Sequence, residues 1–258
     1  KRPNFIAQRQ PISNEIGFFI ERFYYFKTRR GAISMAKDFS HPKVVEHYDQ
    51  HIRQLIPGYE LVHLQIQAIL KTQLQPNTRI VIGGCGTGYE LEYLMRILPQ
   101  AHFVAFDPSE QMVAKARQRF EHHADRYRVA FHVADSSILN QYTHQFDAAL
   151  AILVSHFLAL ESKKAYFEAL YSSLKDGGFC LSYDLMQFQH QAQILQLQAL
   201  TQDLGLAENK SQVMVERLAD DFELISIEDM QQLLRHCGFR QTECFAQIAN
   251  FYALQSSK

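Results

Sequence analysis

Apolar side chains recur along this chain with two different periods, and the change of period marks its organisation. Over residues 12–30, Ile12, Ile16, Phe19, Ile20, Phe23 and Phe26 fall at helical spacing, with Arg22, Lys27, Arg29 and Arg30 between them and Gly31 as a stop. This predicts an amphipathic helix with an aromatic face. Its partner is the main domain, a second copy of the chain, or a membrane surface or RNA. A second helix is predicted over 43–56, ended by Pro57-Gly58, and a third over 60–74, ended by Pro76-Asn77.

From residue 79 short apolar runs take over, at 79–82, 103–106, 129–133, 146–153 and 179–183. Amphipathic stretches at 89–98, 109–120 and 162–174 separate them. Strand-length runs alternating with helices imply βαβ units and a parallel sheet covered on both faces. Residues 186–222 interrupt this rhythm with a Gln-rich helical segment, whose apolar positions include Phe188, Ala192, Leu195 and Ala199. An excursion of that length is either a lid over a site or an embellishment of the sheet edge. Ser226 and Asp229 resemble a capping box opening a helix to Cys237, with Gly238 as its stop. Two strand-like runs, 242–246 and 249–254, close the chain. The expected organisation is a helical arm at 1–42 and one α/β domain at 43–258 carrying the insertion.

Composition narrows the class without naming a partner. The chain has 258 residues, 47% of them hydrophobic, which excludes a disordered protein, and no run approaches the ~18 apolar residues of a membrane span. Lys+Arg 26 against Asp+Glu 27 leaves a net charge of −1, although the first 40 residues alone are basic. Cys85, Cys180, Cys237 and Cys244 lack ligand spacing, so no zinc site or disulfide framework is expected and a reducing cytoplasm is the default. His47 and His51 stand four apart on a predicted helix. They lack an intervening Glu and an evident third ligand, so no metal site is expected.

The chemistry concentrates in Ile80-Val81-Ile82-Gly83-Gly84-Cys85-Gly86-Thr87-Gly88-Tyr89-Glu90. A strand runs into a glycine turn and then a helix, which places bare backbone beside a ligand at the carboxyl end of a sheet. After Gly84 and Gly86 the third glycine falls at 88, one position early for a dinucleotide fingerprint. The spacing suits a turn wrapping an amino-acid moiety better than one delivering a pyrophosphate to a helix. Asp107 follows the second run, where a carboxylate can accept hydrogen bonds from both ribose hydroxyls. Pro108 and Met112 can flank an adenine ring, and Asp135-Ser136 ends the third run, where a carboxylate can accept the adenine amino proton.

Together these features resemble the class I S-adenosylmethionine-dependent methyltransferases. The likeness includes the loop Gly84–Gly88, Phe106-Asp107-Pro108-Ser109, Asp135, Phe146-Asp147-Ala148-Ala149-Leu150 and Leu174-Lys175-Asp176-Gly177-Gly178-Phe179. It implies a Rossmann-like fold with a mostly parallel seven-stranded sheet, helices on both faces, and S-adenosyl-L-methionine as cofactor. The cofactor would be held by Gly84, Cys85, Gly86, Thr87, Gly88, Asp107, Pro108, Met112, Asp135, Ser136 and Ile152. One departure stands out. The family usually has an acidic residue two positions before the loop, orienting the methionyl end; here that residue is Ile82, followed by Gly83.

A narrower resemblance, to carboxy-S-adenosylmethionine synthases of tRNA wobble-uridine modification, rests on His47-Tyr48-Asp49, Leu55-Ile56-Pro57-Gly58-Tyr59 and Phe245-Ala246-Gln247 with Asn250-Phe251. The leading expectation is methyl transfer to a small-molecule acceptor. The alternatives are a synthase or another tRNA-pathway enzyme, and a catalytically inactive cofactor-binding or dimerisation module, for which the arm supplies a homodimer contact. No [DNS]-P-P-[YFW] motif or Pro-Cys nucleophile points to a nucleic-acid acceptor. His156, after the fourth run, is the first candidate for a general base. Tyr48 and Tyr59 stand on the segment that closes over the methionyl end in relatives, and Tyr183 and Asp184 follow as candidates facing the acceptor.

Overall fold

The computed structural model describes residues 45–258. The aromatic helix expected at 12–30 and the dimer contact expected of the arm lie outside the described residues. Two helices, α1 (Tyr48–Leu55) and α2 (Tyr59–Gln73), precede β1 (Arg79–Gly83), α3 (Tyr89–Ile97), β2 (His102–Asp107), α4 (Glu110–Phe120), β3 (Val129–Val133) and β4 (Phe146–Ile152). Then come α5 (Leu160–Ser173), β5 (Leu174–Leu185), the insertion helices α6 (Gln191–Asp203), α7 (Glu208–Glu216) and α8 (Leu218–Asp221), α9 (Ile227–His236), β6 (Gln241–Ile248) and β7 (Phe251–Ser257).

The strands form one seven-stranded sheet in the order β3-β2-β1-β4-β5-β7-β6. The first five run parallel, and β7 pairs antiparallel with both β5 and β6. Burial on both faces follows from the alternation of side chains along each strand. Ile80, Ile82, Ala148 and Leu150 pack with α2 and α3 on one side. Val81, Val104, Ala149 and Ala151 pack with Phe167 and Leu170 of α5 and Met230 and Leu234 of α9 on the other. Gly83 is explained by this second layer, because a Cβ there would strike the Tyr166 hydroxyl and Phe106.

Three sequence expectations are revised. The buried stripe of α6 is Ile194, Leu197 and Thr201, while Ala192, Leu195 and Ala199 face outward. Both stripes have helical spacing in this Leu- and Gln-rich segment, and only packing separates them. The last strand begins at Phe251, since Ala249 and Asn250 form the turn. Asn250 is fixed there by Nδ2 donating to Gln187 O at 3.2 Å and by Met186 N–H donating to its own carbonyl at 2.8 Å. At α9 the Ser226 hydroxyl accepts from Asp229 N–H at 3.0 Å, but Asp229 returns to the Ser226 hydroxyl instead of its backbone, so the box is half-formed.

Candidate active site

The site lies at the carboxyl ends of the strands, where the sheet order reverses between β1 and β4. Beyond β1, Gly84, Gly86 and Gly88 have φ of 67°, 49° and 82°, a region that a Cβ opposes. A Cβ on Gly84 would also strike Val154, whereas one on Gly86 meets no protein atom within 4 Å, so position 86 borders open space. Backbone hydrogen bonds set the loop. Gly84 and Cys85 N–H donate to Phe106 O at 2.8 and 3.0 Å, and Gly88 N–H donates to Cys85 O at 2.9 Å.

Asp107 anchors the same loop from the end of β2. Its Oδ2 accepts from Gly86 N–H at 3.0 Å and its Oδ1 from Ser109 N–H at 2.8 Å. Burial raises the Asp107 pKa above the ordinary carboxylate value, and the two N–H groups oppose that rise. Each oxygen keeps a further lone pair for a ribose hydroxyl. Ser109 caps α4 through Met112 N–H at 3.2 Å, which places Met112 buried and Pro108 exposed on the same rim. Asp135 is exposed at the end of β3 beside the partly buried Ser136. Its carboxylate accepts Ser137 N–H at 2.9 Å, and the Ser137 hydrogen bonds hold its pKa below the usual range.

Two cavities adjoin at Tyr48 and Leu153, which line both. The first is floored by the Gly84–Thr87 stretch and walled by Tyr59, Tyr89, Glu90 and Ile152. Helix α1 is fastened over it: Asp49 accepts from the Thr87 hydroxyl and pairs with Arg119 of α4. Burial raises the pKa of Tyr48, Tyr59 and Cys85, so these groups stay protonated. The second cavity is apolar. Ile52, Leu55 and Ile56 of α1 face Leu197, Met214, Leu218 and Phe222 of the insertion across it.

His156 lines this apolar cavity, and the structure ties it to the buried Asp184. His156 Nδ1 stands 2.9 Å from Asp184 Oδ1, which also accepts His156 N–H at 3.2 Å, while the Ser155 hydroxyl donates to Oδ2 at 2.7 Å. The Leu185 N–H also points at Nδ1, at 3.4 Å. The shorter carboxylate contact decides the tautomer: Nδ1 carries the proton and Nε2 keeps its lone pair. Lys163 locks the segment by donating to the carbonyls of Ser155 and Glu223, and Glu223 N–H donates to His156 O at 2.8 Å. The imidazole packs against both Phe157 and Phe222, with centroids at 4.3 and 5.1 Å, and the two phenyl rings also touch each other at 5.2 Å.

The sequence-predicted residues therefore separate into groups. Gly84, Cys85, Gly86, Thr87, Ile152, Tyr48 and Tyr59 share one cavity, and Gly88, Asp107, Pro108, Met112, Asp135 and Ser136 follow the same strand ends without lining it. Tyr183 is placed elsewhere. It is fully buried, its hydroxyl reaches Pro57 O at 3.4 Å and its ring packs on Phe251, so it lines neither cavity. Asp184 likewise faces His156 from within the core. Glu90 was missed, although it directly follows the glycine loop; an acid in the first turn of a helix reads as an ordinary dipole partner. Leu153, at φ 58°, was missed because nothing local announces a left-handed leucine.

Residues 83–180 match a family described as "Methyltransferase domain". That span begins at the end of β1, contains the glycine loop, Asp107, Asp135 and His156, and ends within β5. Residues 83–180 carry a methyltransferase domain. Among curated proteins it is similar to the carboxy-S-adenosyl-L-methionine synthase of Trichodesmium erythraeum, at 25% identity over 84% of this chain and 87% of that protein. It is similar to the synthase of Campylobacter fetus at 23% identity, over 81% of this chain and 89% of that one. Among solved structures, a putative O-methyltransferase from Nostoc punctiforme superposes with a TM-score of 0.63 at 12% identity, over 94% of this chain and 68% of the other. Human N-acetylserotonin methyltransferase in complex with SAM gives 0.57 at 15% identity, over 92% and 62%. These two likenesses carry the fold.

S-Adenosylmethionine is the cofactor of this methyltransferase domain, and the residues present fit it: a bare glycine beside open space, the Asp107 carboxylate anchoring the loop from β2, and two protonated tyrosines closing the cavity. No described helix is long and apolar enough to cross a membrane.

Proposed function

We propose that this methyltransferase acts on a small, largely apolar acceptor bearing an acidic hydroxyl, with His156 as general base. The observation that carries the reading is the apolar cavity adjoining the glycine-loop cavity, with the His156–Asp184 pair set in its wall. When bound, S-adenosylmethionine supplies an activated methyl group. The remaining work is positional, and holding two reactants in line is worth ~7–11 kcal/mol. Tyr48 and Leu153 stand between the cavities and define the passage across which donor and acceptor meet. Asp184 holds the imidazole so that Nε2 accepts the acceptor's proton, and it stabilises the imidazolium formed. The insertion at 186–222 serves as the cover that excludes water. The four unpaired thiols suit a reducing, cytoplasmic setting.

The curated relatives favour a second reading, a carboxy-S-adenosylmethionine synthase. Such an enzyme must hold an additional carboxylate, and among the described residues neither cavity is lined by Arg or Lys. One measurement separates the two. Mass spectrometry of the natively purified protein is expected to show S-adenosylmethionine or S-adenosylhomocysteine, and incubation with a phenol panel to yield methylated product. A bound ligand one carboxyl group heavier than S-adenosylmethionine, with no phenol turned over, would replace the first reading by the second.

A further inference from the structure

The departure at Ile82 leaves a question of charge. Ile82 is buried among Ile80, Leu150 and Ile152 on the apolar face of the sheet, so position 82 offers no group to an amino-acid ammonium. Four carboxylates lie around the loop cavity, and they differ in how they are satisfied. Asp107 is taken by the N–H groups of Gly86 and Ser109. Asp49 is taken by Thr87 and Arg119, and Glu60 by Arg53 and the Tyr89 hydroxyl. Glu90 lines the cavity itself and is 9% exposed.

Around Glu90 no permanent cation is within ion-pair distance among the described residues. The nearest titratable nitrogen is His63 Nε2, 3.9 Å from Oε1, too far for a hydrogen bond. His63 is 1% exposed inside a ring of Tyr59, Tyr89 and Tyr93, and burial pushes its pKa down to about 4, so it backs Glu90 as a neutral ring. Arg119, whose positive charge lowers the Glu90 pKa, is already bound to Asp49 and Glu92. A buried carboxylate facing a cavity without its own counterion is costly unless the cavity's ligand supplies one.

We infer that Glu90 receives the α-ammonium of the donor's methionyl end, replacing from the first turn of α3 the carboxylate that Ile82 has removed from β1. The inference rests on the donor reading and deepens it, because it makes the site selective for a donor carrying a free amine. The loop permits the swap: Gly88 at φ 82° caps α3 and turns the chain so that Glu90 reaches the same cavity as Gly84 and Gly86.

The test is calorimetric titration of the full chain with three ligands: S-adenosylhomocysteine, its analogue lacking the α-amino group, and 5′-methylthioadenosine. Wild type is expected to prefer S-adenosylhomocysteine to the desamino analogue. Glu90→Gln is expected to weaken S-adenosylhomocysteine by on the order of tenfold or more while leaving the other two within about twofold. Equal weakening of all three ligands, or unchanged affinity for S-adenosylhomocysteine, overturns the role of Glu90 and leaves the donor reading standing. Failure of wild type to bind any of the three overturns the donor reading as well. Glu90→Asp, which keeps the charge, is expected to retain more of the preference for the amine than Glu90→Gln does; a preference no greater than that of Glu90→Gln, with methylthioadenosine binding intact, overturns the charge contact.

Discussion

The two adjoining cavities share Tyr48 and Leu153 yet are made in opposite ways. The glycine-loop cavity comes mainly from residues 84–90, and its geometry is set by hydrogen bonds of that stretch to Phe106 O and Asp107. The apolar cavity gathers side chains from Tyr48 to Phe251, and apart from the His156–Asp184 pair its walls are mainly apolar side chains brought together by tertiary packing. A site fixed by local backbone keeps its ligand class wherever the loop occurs. A site assembled from distant apolar residues changes with each insertion, so on the proposed function acceptor identity resides in those side chains and not in the glycine loop.

Replacing His156 should separate the two halves most sharply. His156→Gln removes the proton acceptor but leaves the glycine loop untouched, so kcat should fall about 10²–10⁴-fold while S-adenosylhomocysteine binds as in wild type. A variant whose donor affinity fell equally would show that the cavities act as one. Next in size is Asp107→Ala, which removes the anchor of Gly86 N–H and the acceptors for the ribose. Calorimetry should show donor binding weaker by roughly 2–4 kcal/mol, with acceptor saturation unchanged. Unaltered donor affinity would take Asp107 out of the site.

The same contrast explains what was legible in the sequence. Strand and helix positions followed from apolar periodicity because a doubly covered parallel sheet demands it; 129–133 is a strand as expected, and β1 is one residue longer than its apolar run. Gly84 to Thr87 could be placed together because they are neighbours in the chain. The insertion's inner face could not, since Ile194 and Leu195 are equally apolar and only the packing of α6 against α7 and α1 selects between them. Tyr183 lines neither cavity for a related reason. Alternation along β5 fixes which face it takes, and that face is filled by Phe251 and the chain at Pro57.

Glu90 supplies a smaller effect on the polar side of the comparison. Desolvation by burial raises its pKa from the ordinary carboxylate value to about 7, against the opposing pull of its own backbone N–H and Arg119. A carboxyl raised on folding holds its proton more tightly in the native state, so its contribution to stability is fully present below the unfolded pKa. That contribution is lost as pH rises through about 7. Glu90→Gln abolishes this loss. The ligand-free variant should therefore match wild type near pH 4.5 and exceed it by about 1–3 kcal/mol at pH 8 in denaturant titrations. A difference that stayed constant with pH would mean that the buried charge is not its source.

The smallest expected effect lies at the outer end of the donor site. Asp135 is exposed, and its carboxylate already accepts Ser137 N–H, so water competes for whatever hydrogen bond it offers an adenine amine. Asp135→Ala should weaken S-adenosylhomocysteine by less than about tenfold, well below the loss at Asp107. Magnitude alone does not assign the contact, because the substitution also loosens the turn at Ser136–Gln141 that Asp135 caps. The inosine counterpart of S-adenosylhomocysteine does assign it, since it carries a carbonyl where adenine carries the amine. Wild type should discriminate against that counterpart and Asp135→Ala should not; discrimination retained in the variant would mean that the base is read by the buried rim around Met112 instead.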